Sequence, residues 1–431
     1  MNTKIRKLCV LALTGMALLS APLSAFAQEA VPTAAKERKE KGNLMGERTF
    51  RRIESINKMY AEKEYDKAIK SIESLLGSGN LNDYEKAMAS QLAGYVYAEQ
   101  GKYDQAMPYF QEAVRLDALP NQAHFGMMYS LAQLYAQQGD HQKTIELLTE
   151  WFDYQADPPG QSYILMASSY AQLEQYDQAL PWVRKAIASE GAKAQESWYQ
   201  LELAILFEMK RYGEAATLLR GMVARWPDKL RYWEMLSGAY QEQAKDADSL
   251  AVLMAAYRHG LLYGEDIAPD QMEKKLLNVV RMNMFQDSPY VAGKILASEM
   301  AAGRIQPTQK NLELQLSAWK AAREFDQGIA VIDQLAPMTQ SGELYFEKAQ
   351  MLMEQNDWAG TIRASEQAIE QGNLKKPGAV YLVMGIAANE LEQFDQAIQY
   401  MKKARDFDDN SRRQANDWIK FIQDRAAVAG R

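Results

Sequence analysis

One stretch restricts the fold of this chain more than any other. Between Gly94 and Ala113, GYVYAEQGKYDQAMPYFQEA, small and large residues alternate at helical spacing across two segments broken at Gly101. Gly94, Ala106 and Ala113 are the small positions, and Tyr97, Tyr103 and Phe110 the large ones. Two helices joined by a short turn approach to about 8–10 Å only where small side chains stand at their crossing. The large residues then fill the grooves beside that crossing. Asp104, one residue into the second segment, faces the positive end of a helix and its free N–H groups. A lone hairpin of this kind cannot bury its own apolar face and is stable only when stacked, so copies are expected.

The pattern aromatic–Asp–x–small–aliphatic recurs at Tyr65–Ile69, Tyr176–Leu180, Phe325–Ile329 and Phe394–Ile398, with weaker versions starting at Tyr212 and Trp358 and a degraded one at His141. The small residue falls at 68, 106, 144, 179, 215, 328, 361 and 397. The gap of 113 between 215 and 328 holds three steps of about 38, so two poorly conforming units lie between Arg225 and Pro307. Twelve residues before each marker stand Ile56, Gly94, Ala132, Ala167, Leu203, Leu316, Ala349 and Gly385; five of these eight are Gly or Ala, which sets the first helix in register with the second.

These residues and this period closely resemble the tetratricopeptide repeat. The resemblance implies an all-α fold: a solenoid of helical hairpins, a right-handed superhelix of about ten repeats, closed by a C-terminal capping helix. It also implies a partner-binding role without itself fixing the partner.

The two ends of the chain differ from the repeats. Residues 1–27 have the form of a secretory signal peptide: basic Lys4, Arg6 and Lys7, an apolar run from Leu8 to Leu19, and Ala25-Phe26-Ala27 as a cleavage site. The rival reading, an uncleaved anchor, meets an apolar run shorter than the ~20 residues a span needs. Loss of the signal removes three cations and no anion, so the formal charge moves from −7 to −10, and Cys9, the single cysteine, goes with it. Such a chain takes no stability from disulfides, and its charge argues against nucleic acid and anionic lipid as partners. No later segment is long and apolar enough to be an integral membrane span. A periplasmic location in a Gram-negative bacterium is the expectation. Residues 28–48 form a polar leader, either mobile or a short solvated helix; Arg48, with Arg51 and Arg52 just beyond it, reads as a solvated helix face or, alternatively, as a cluster that docks an acidic partner.

Residues 49–229 then carry an N-terminal array of five clear units, with turns at Gly77–Asn80, Leu119-Pro120, Asp157–Gly160 and Trp226-Pro227. Residues 230–306 lose the signature but keep helical periodicity, with a pattern ending at His259-Gly260, a loop from Gly264 to Pro269, a methionine-rich helix over Met272–Met284 and a new helix at Pro289. This stretch is expected to hold degenerate repeats and the bend of the array. Residues 307–409 hold three further units, and 410–431 a capping helix and tail on which Ala415, Trp418, Ile419 and Ile422 share a face. Exposure of Phe421 beside an apolar neighbour would favour a dimerising helix there instead.

No catalytic constellation stands out. After cleavage there is no thiol, the histidines at 124, 141 and 259 are far apart in sequence, and no phosphate-cradling glycine loop or G-x-S-x-G is present. Asp406, Asp408, Asn410 and Asp417 echo the opening of a calcium loop, but Ser411 stands where its glycine belongs. The chain reads as a non-enzyme, with no metal and no cofactor expected.

In the family resembled here, the first helices line the inner wall and bind peptides or helices. Mapped by register, that wall carries Met88, Gln91, Tyr95 and Glu99 in the second unit and Tyr129, Gln133 and Gln137 in the third. The fourth unit adds Ile164, Ser168 and Gln172, and the fifth Gln200, Ala204 and Phe207. Relatives that clamp a C-terminal carboxylate use Lys and Asn there; these four units have neither. Amide and aromatic surfaces suit an extended protein or peptide, or a glycan. The general layout (signal, unit count, irregular middle) resembles tetratricopeptide proteins encoded beside TonB-type energy-transduction complexes, which implies a scaffold in a cell-envelope complex. The alternatives are a scaffold for outer-membrane assembly or polysaccharide export, and a peptidoglycan enzyme or its activator.

Overall fold

Up to the last helix, the breaks between helices fall where glycine, proline or a left-handed residue stops one helix and lets the chain reverse. The structure, a computed structural model, describes residues 36–42, 44–264 and 266–429; the signal segment lies outside them. Among the described residues there are 21 α-helices and no strand. Twenty of them form ten consecutive hairpins: α1 (Glu47–Ala61) with α2 (Tyr65–Leu76), α3 (Asp83–Glu99) with α4 (Tyr103–Arg115), α5 (Asn121–Gln137) with α6 (His141–Asp153), α7 (Gly160–Gln172) with α8 (Tyr176–Glu190), and α9 (Glu196–Glu208) with α10 (Tyr212–Arg225). The series continues with α11 (Leu230–Gln241) and α12 (Asp246–Arg258), α13 (Pro269–Phe285) and α14 (Pro289–Ala301), α15 (Gln309–Ala321) and α16 (Phe325–Thr339), α17 (Gly342–Glu354) and α18 (Trp358–Gln371), α19 (Pro377–Glu390) and α20 (Phe394–Ala404). The last helix, α21 (Asp409–Ala429), packs on α19 and α20. The chain divides into two compact units, residues 1–222 and 223–431.

The turn inside each hairpin has one construction. Two residues before the second helix the chain is left-handed, at Lys63, Gly101, Gly139, Glu174, Lys210, Ala244, Asp287, Arg323, Asn356 and Glu392, with φ from 50° to 83°. The following residue donates its N–H to the carbonyl five positions back, as in Glu64→Met59 at 2.8 Å and Gln393→Ala388 at 2.9 Å. This is the Schellman closure, which satisfies a carbonyl that the first helix leaves open. Only two of the ten are glycine, so the geometry is imposed by hairpin packing at positions where a Cβ costs energy.

The crossing positions are buried throughout. Ala68, Ala106, Thr144, Ala179, Ala215, Thr361 and Ala397 are fully inaccessible, and Ile56, Ala132, Ala167, Leu203, Leu316 and Ala349 lie opposite them in the cores. In the second unit the two expected irregular hairpins are α11–α12 and α13–α14. Their crossing residues are Ser249 and Ala292, both inaccessible, so the steps run 34, 43 and 36 instead of an even 38. The long step arises because a 3-10 turn, Leu261–Tyr263, and a loop extend the connection before α13. Glu299, buried in α14, pins that turn: Tyr257 Oη donates to it at 2.7 Å, Tyr263 Oη at 3.0 Å, and Arg304 holds its other oxygen. The α13–α14 core extends into α15 through Ala318 and Leu314, so the irregular hairpins share packing with the regular ones that follow. Ala415 and Ile422 of α21 are inaccessible against Tyr400, Met401 and Ala404, which covers the apolar face of α20, while Phe421 is exposed beside Trp418, the condition that favours a dimerising helix.

Residues 36–42 form no helix. They run along the edge made by the turns after α4 and α6. Lys36 donates its N–H to Asp153 O at 2.7 Å and its ammonium to Asp153 Oδ2 at 2.6 Å. Arg38 reaches Asp117 Oδ1 at 2.7 Å, Leu119 O at 3.0 Å and Asn121 Oδ1 at 2.7 Å, and Glu40 accepts from the Asn121 N–H at 2.7 Å. Further along, Asn82 donates to Leu44 O, and Glu85 accepts from the Gly46 N–H. The leader departs from a solvated helix because successive turns offer it partners that a helix of mixed charge would forgo.

Candidate interaction groove

In the first unit, the first helices of hairpins one to three stand side by side. Between them runs a groove of about 470 Å³. Its walls are Ile53 and Asn57 from α1, Met88, Gln91, Leu92 and Tyr95 from α3, and Pro120, Gln122, Ala123 and Gly126 at the start of α5. The spacings of three and four residues within each helix place these side chains on one face. No carboxylate, ammonium, guanidinium or imidazole is among them. The polar groups are three carboxamides, each able to donate and accept, and one phenol.

Tyr95 is the centre of the middle wall. Its ring meets Phe110 edge to face with centroids 5.5 Å apart, which fixes its orientation. Burial pushes its phenol above the usual tyrosine range, and a hydrogen bond to the Gln91 side chain offsets part of that. Tyrosine and amide side by side offer a peptide backbone matched donors and acceptors, while Met88 supplies an adaptable apolar floor.

Of the residues mapped by register, Gln91, Tyr95 and Met88 come together in this groove. Glu99, one turn beyond Tyr95, is exposed and bonds to Tyr60, whose phenol is raised by burial and then by the Glu99 charge. Tyr129 packs at 5.2 Å on Trp151 and is so enclosed that its pKa is pushed up to about 12. Gln133 is half-buried, and Gln137 and Gln172 are exposed. Ile164 is 7% exposed and takes its place in the fourth hairpin's core, with its carbonyl accepting from Ser168. Gln200 donates to Glu196 at 3.1 Å, and Phe207 meets Tyr212 edge to face at 5.9 Å. The mapped residues are therefore spread along four hairpins, the second to the fifth, and the groove gathers only those of the second.

Reading by register missed Ile53, Asn57 and Gly126. A shift of 38 residues carries Ile53 onto Gln91, Asn57 onto Tyr95, and Met88 onto Gly126, so the period held the signal. Pro120, Gln122 and Ala123 have no such signal, because they join the wall only where the turn before α5 folds in.

Asp408 accepts from the Ser411 N–H at 2.9 Å and hydroxyl at 2.7 Å, capping α21. Among the described residues no three His, Cys, Asp or Glu side chains stand close enough to hold a metal ion, and no helix is long and apolar enough to cross a membrane. Arg51 pairs with Glu47, and Arg52 donates to Ser74 at 3.1 Å.

Ten hairpins with one turn design and one crossing register define a helical-hairpin repeat protein. The tetratricopeptide-repeat family pattern matches residues 57–123 and 92–160, and a second tetratricopeptide pattern matches 160–192. The chain carries tetratricopeptide repeats, an architecture suited to protein–protein interaction. Among solved structures it is similar to a tetratricopeptide repeat protein from Parabacteroides merdae ATCC 43184, at 14% identity over 63% of this chain and 98% of that one, with a TM-score of 0.35. It is also similar to YrrB, described as a TPR protein with an unusual peptide-binding site, at 13% identity over 43% and 90% of the two chains and a TM-score of 0.34. A third is the Naa15/Naa10 complex bound to HypK-THB, at 12% identity, 82% and 68% coverage and a TM-score of 0.29. No curated protein matches the chain.

Proposed function

We propose that this chain is an exported, non-enzymatic scaffold that holds an extended segment of a protein partner in the groove between α1, α3 and α5. The groove itself carries this reading: it is neutral, lined by amides, one tyrosine and aliphatic side chains, and built on the rigid hairpin stack. Such a wall suits a backbone and apolar side chains better than a charged terminus, since a lysine clamp is missing from it. The periplasm as its compartment is supported by the basic, apolar and Ala-x-Ala segments of residues 1–27. A place in a TonB-linked transport complex is supported by the resemblance in layout alone.

The test is a photo-crosslinking residue at Tyr95 or Gln122 in cells, with an exposed position on a second helix, Glu150 of α6, as control. The expected result is one dominant adduct from the groove positions, identified as a component of a TonB-type complex. An adduct with β-barrel assembly or polysaccharide-export proteins would keep the scaffold and move it to another machine. Sugar release from peptidoglycan by the purified chain, lost on a single carboxylate substitution, would replace the scaffold reading with an enzyme.

A further inference from the structure

The turns between hairpins gather electron-rich groups along one edge of the first unit. The helices α4 and α6 both end there, bringing the negative ends of their dipoles to this edge, where Leu116 O and Asp153 O accept from Lys41 and from the Lys36 N–H. Asp117 and Asp153 add two carboxylates. Against this edge lie Lys36, Arg38, Glu40 and Lys41 of a segment without helix. Arg38 is the anchor. Its side chain is only 8% exposed although it belongs to a leader without secondary structure, and it spans a carboxylate, a carbonyl and a carboxamide at once. Asn121 answers by donating to Arg38 O at 3.1 Å, so backbone as well as side chain is read. Lys41 closes the contact at 3.3 Å from Asp117.

These are the features of a peptide site: main-chain pairing, one deep side-chain pocket and flanking charge complementarity. We propose that the edge formed by residues 116–121 and Asp153 is a docking surface for an extended peptide carrying arginine flanked by lysines, and that residues 36–41 of this chain are its displaceable resident occupant. The site is distinct from the groove, yet adjoins it. Leu119 and Asn121 are gripped by Arg38, while Pro120 and Gln122 line the groove. Exchange at the edge thus acts on the lip of the groove.

The experiment uses full-length chain and a fluorescent peptide with the sequence of residues 36–42, Lys-Glu-Arg-Lys-Glu-Lys-Gly. In the Arg38→Ala chain the resident segment loses its anchor, and the peptide is expected to bind saturably by anisotropy. The unsubstituted chain should bind it about tenfold more weakly or less, because a tethered competitor acts at an effective concentration on the order of 1 mM. Adding Asp117→Asn to the Arg38→Ala chain, or replacing the peptide's arginine by alanine, should abolish binding. If Asp117→Asn disturbs helix content by circular dichroism, Asn121→Ala serves in its place. Equal binding to both chains, or binding indifferent to the peptide's arginine, overturns the proposal. These outcomes are separate from the groove: crosslinks at Tyr95 can persist whether or not the peptide binds.

Discussion

Gly94 and Phe110 meet at the crossing of α3 and α4 so closely that a Cβ on Gly94 would run into the Phe110 ring, with Cζ 2.8 Å away. The ring is itself buried and braced by Tyr95, so it has nowhere to turn. Gly94→Ala should therefore destabilise the chain by roughly 1–3 kcal/mol, in spite of alanine's better helix propensity. At the corresponding crossing of α19 and α20, a Cβ on Gly385 would meet Met401, with Cγ and Sδ at 3.0 Å. A methionine side chain can repack, so Gly385→Ala should cost less. Chemical denaturation of the two variants checks the order; equal losses would mean that ring rigidity does not decide it.

The left-handed turns give a prediction of opposite sign. Ala244 has φ 56° and is exposed, so its methyl contributes strain and little packing. The left-handed conformation costs a non-glycine residue about 1–2 kcal/mol, of which glycine's larger unfolded-state entropy cancels part. Ala244→Gly should stabilise the chain by roughly 0.5–1 kcal/mol, and Lys63→Gly and Arg323→Gly should act the same way. A higher urea midpoint at unchanged slope is the expected observation.

This turn also shows what the sequence hid. Gly101 and Gly139 mark it openly, whereas Glu174, Lys210 and Glu392 are ordinary helix formers forced into it by the hairpin on either side. The hairpin fold was legible because small crossing residues are needed at every unit. Where the crossing tolerated a polar residue, as at Ser249, or a proline began the second helix, as at Pro289, the signature vanished while the helix pair remained. Tyr95 and Gln91 could be placed by register alone. Met88 could be placed in the same way, and Ile53, Asn57 and Gly126 follow from these by the period, whereas Pro120, Gln122 and Ala123 required knowing how the start of α5 folds in, and the docked leader required partners separated from it by about eighty residues of sequence.

Ser237 and Ser249 replace the usual small pair at the α11–α12 crossing and share a hydrogen bond of 2.7 Å between buried hydroxyls. Ser249→Ala matches most other hairpins in shape but leaves the Ser237 hydroxyl short of a partner, at a cost of about 1 kcal/mol. The double variant Ser237→Ala/Ser249→Ala removes both hydroxyls and should cost less than the sum of the singles. A double-mutant cycle with no coupling would show that each serine is satisfied by its own helix.

His124 ties the leader to the acid side of the stability curve. It is buried beside the leader, with Asp117 3.8 Å from its Nε2 and its Nδ1 lacking a hydrogen-bond partner. Burial first, then the Arg38 charge, lower its pKa from 6.5 to about 4; Asp117 acts the other way and Lys41 adds to the lowering. Between those values the unfolded chain takes up a proton that the folded chain refuses. Stability present above pH 6.5 is therefore lost as the pH falls towards 4, by on the order of 3 kcal/mol, and this loss levels off below that. His124→Gln cannot titrate, so its stability should fall less over the same interval, which urea midpoints at pH 7, 5.5 and 4 will show. Arg38→Ala removes the second cause and opens the site to water. The His124 ring signals in NMR should then titrate closer to 6.5, and an unmoved pKa would mean that the leader does not sit against this histidine in solution.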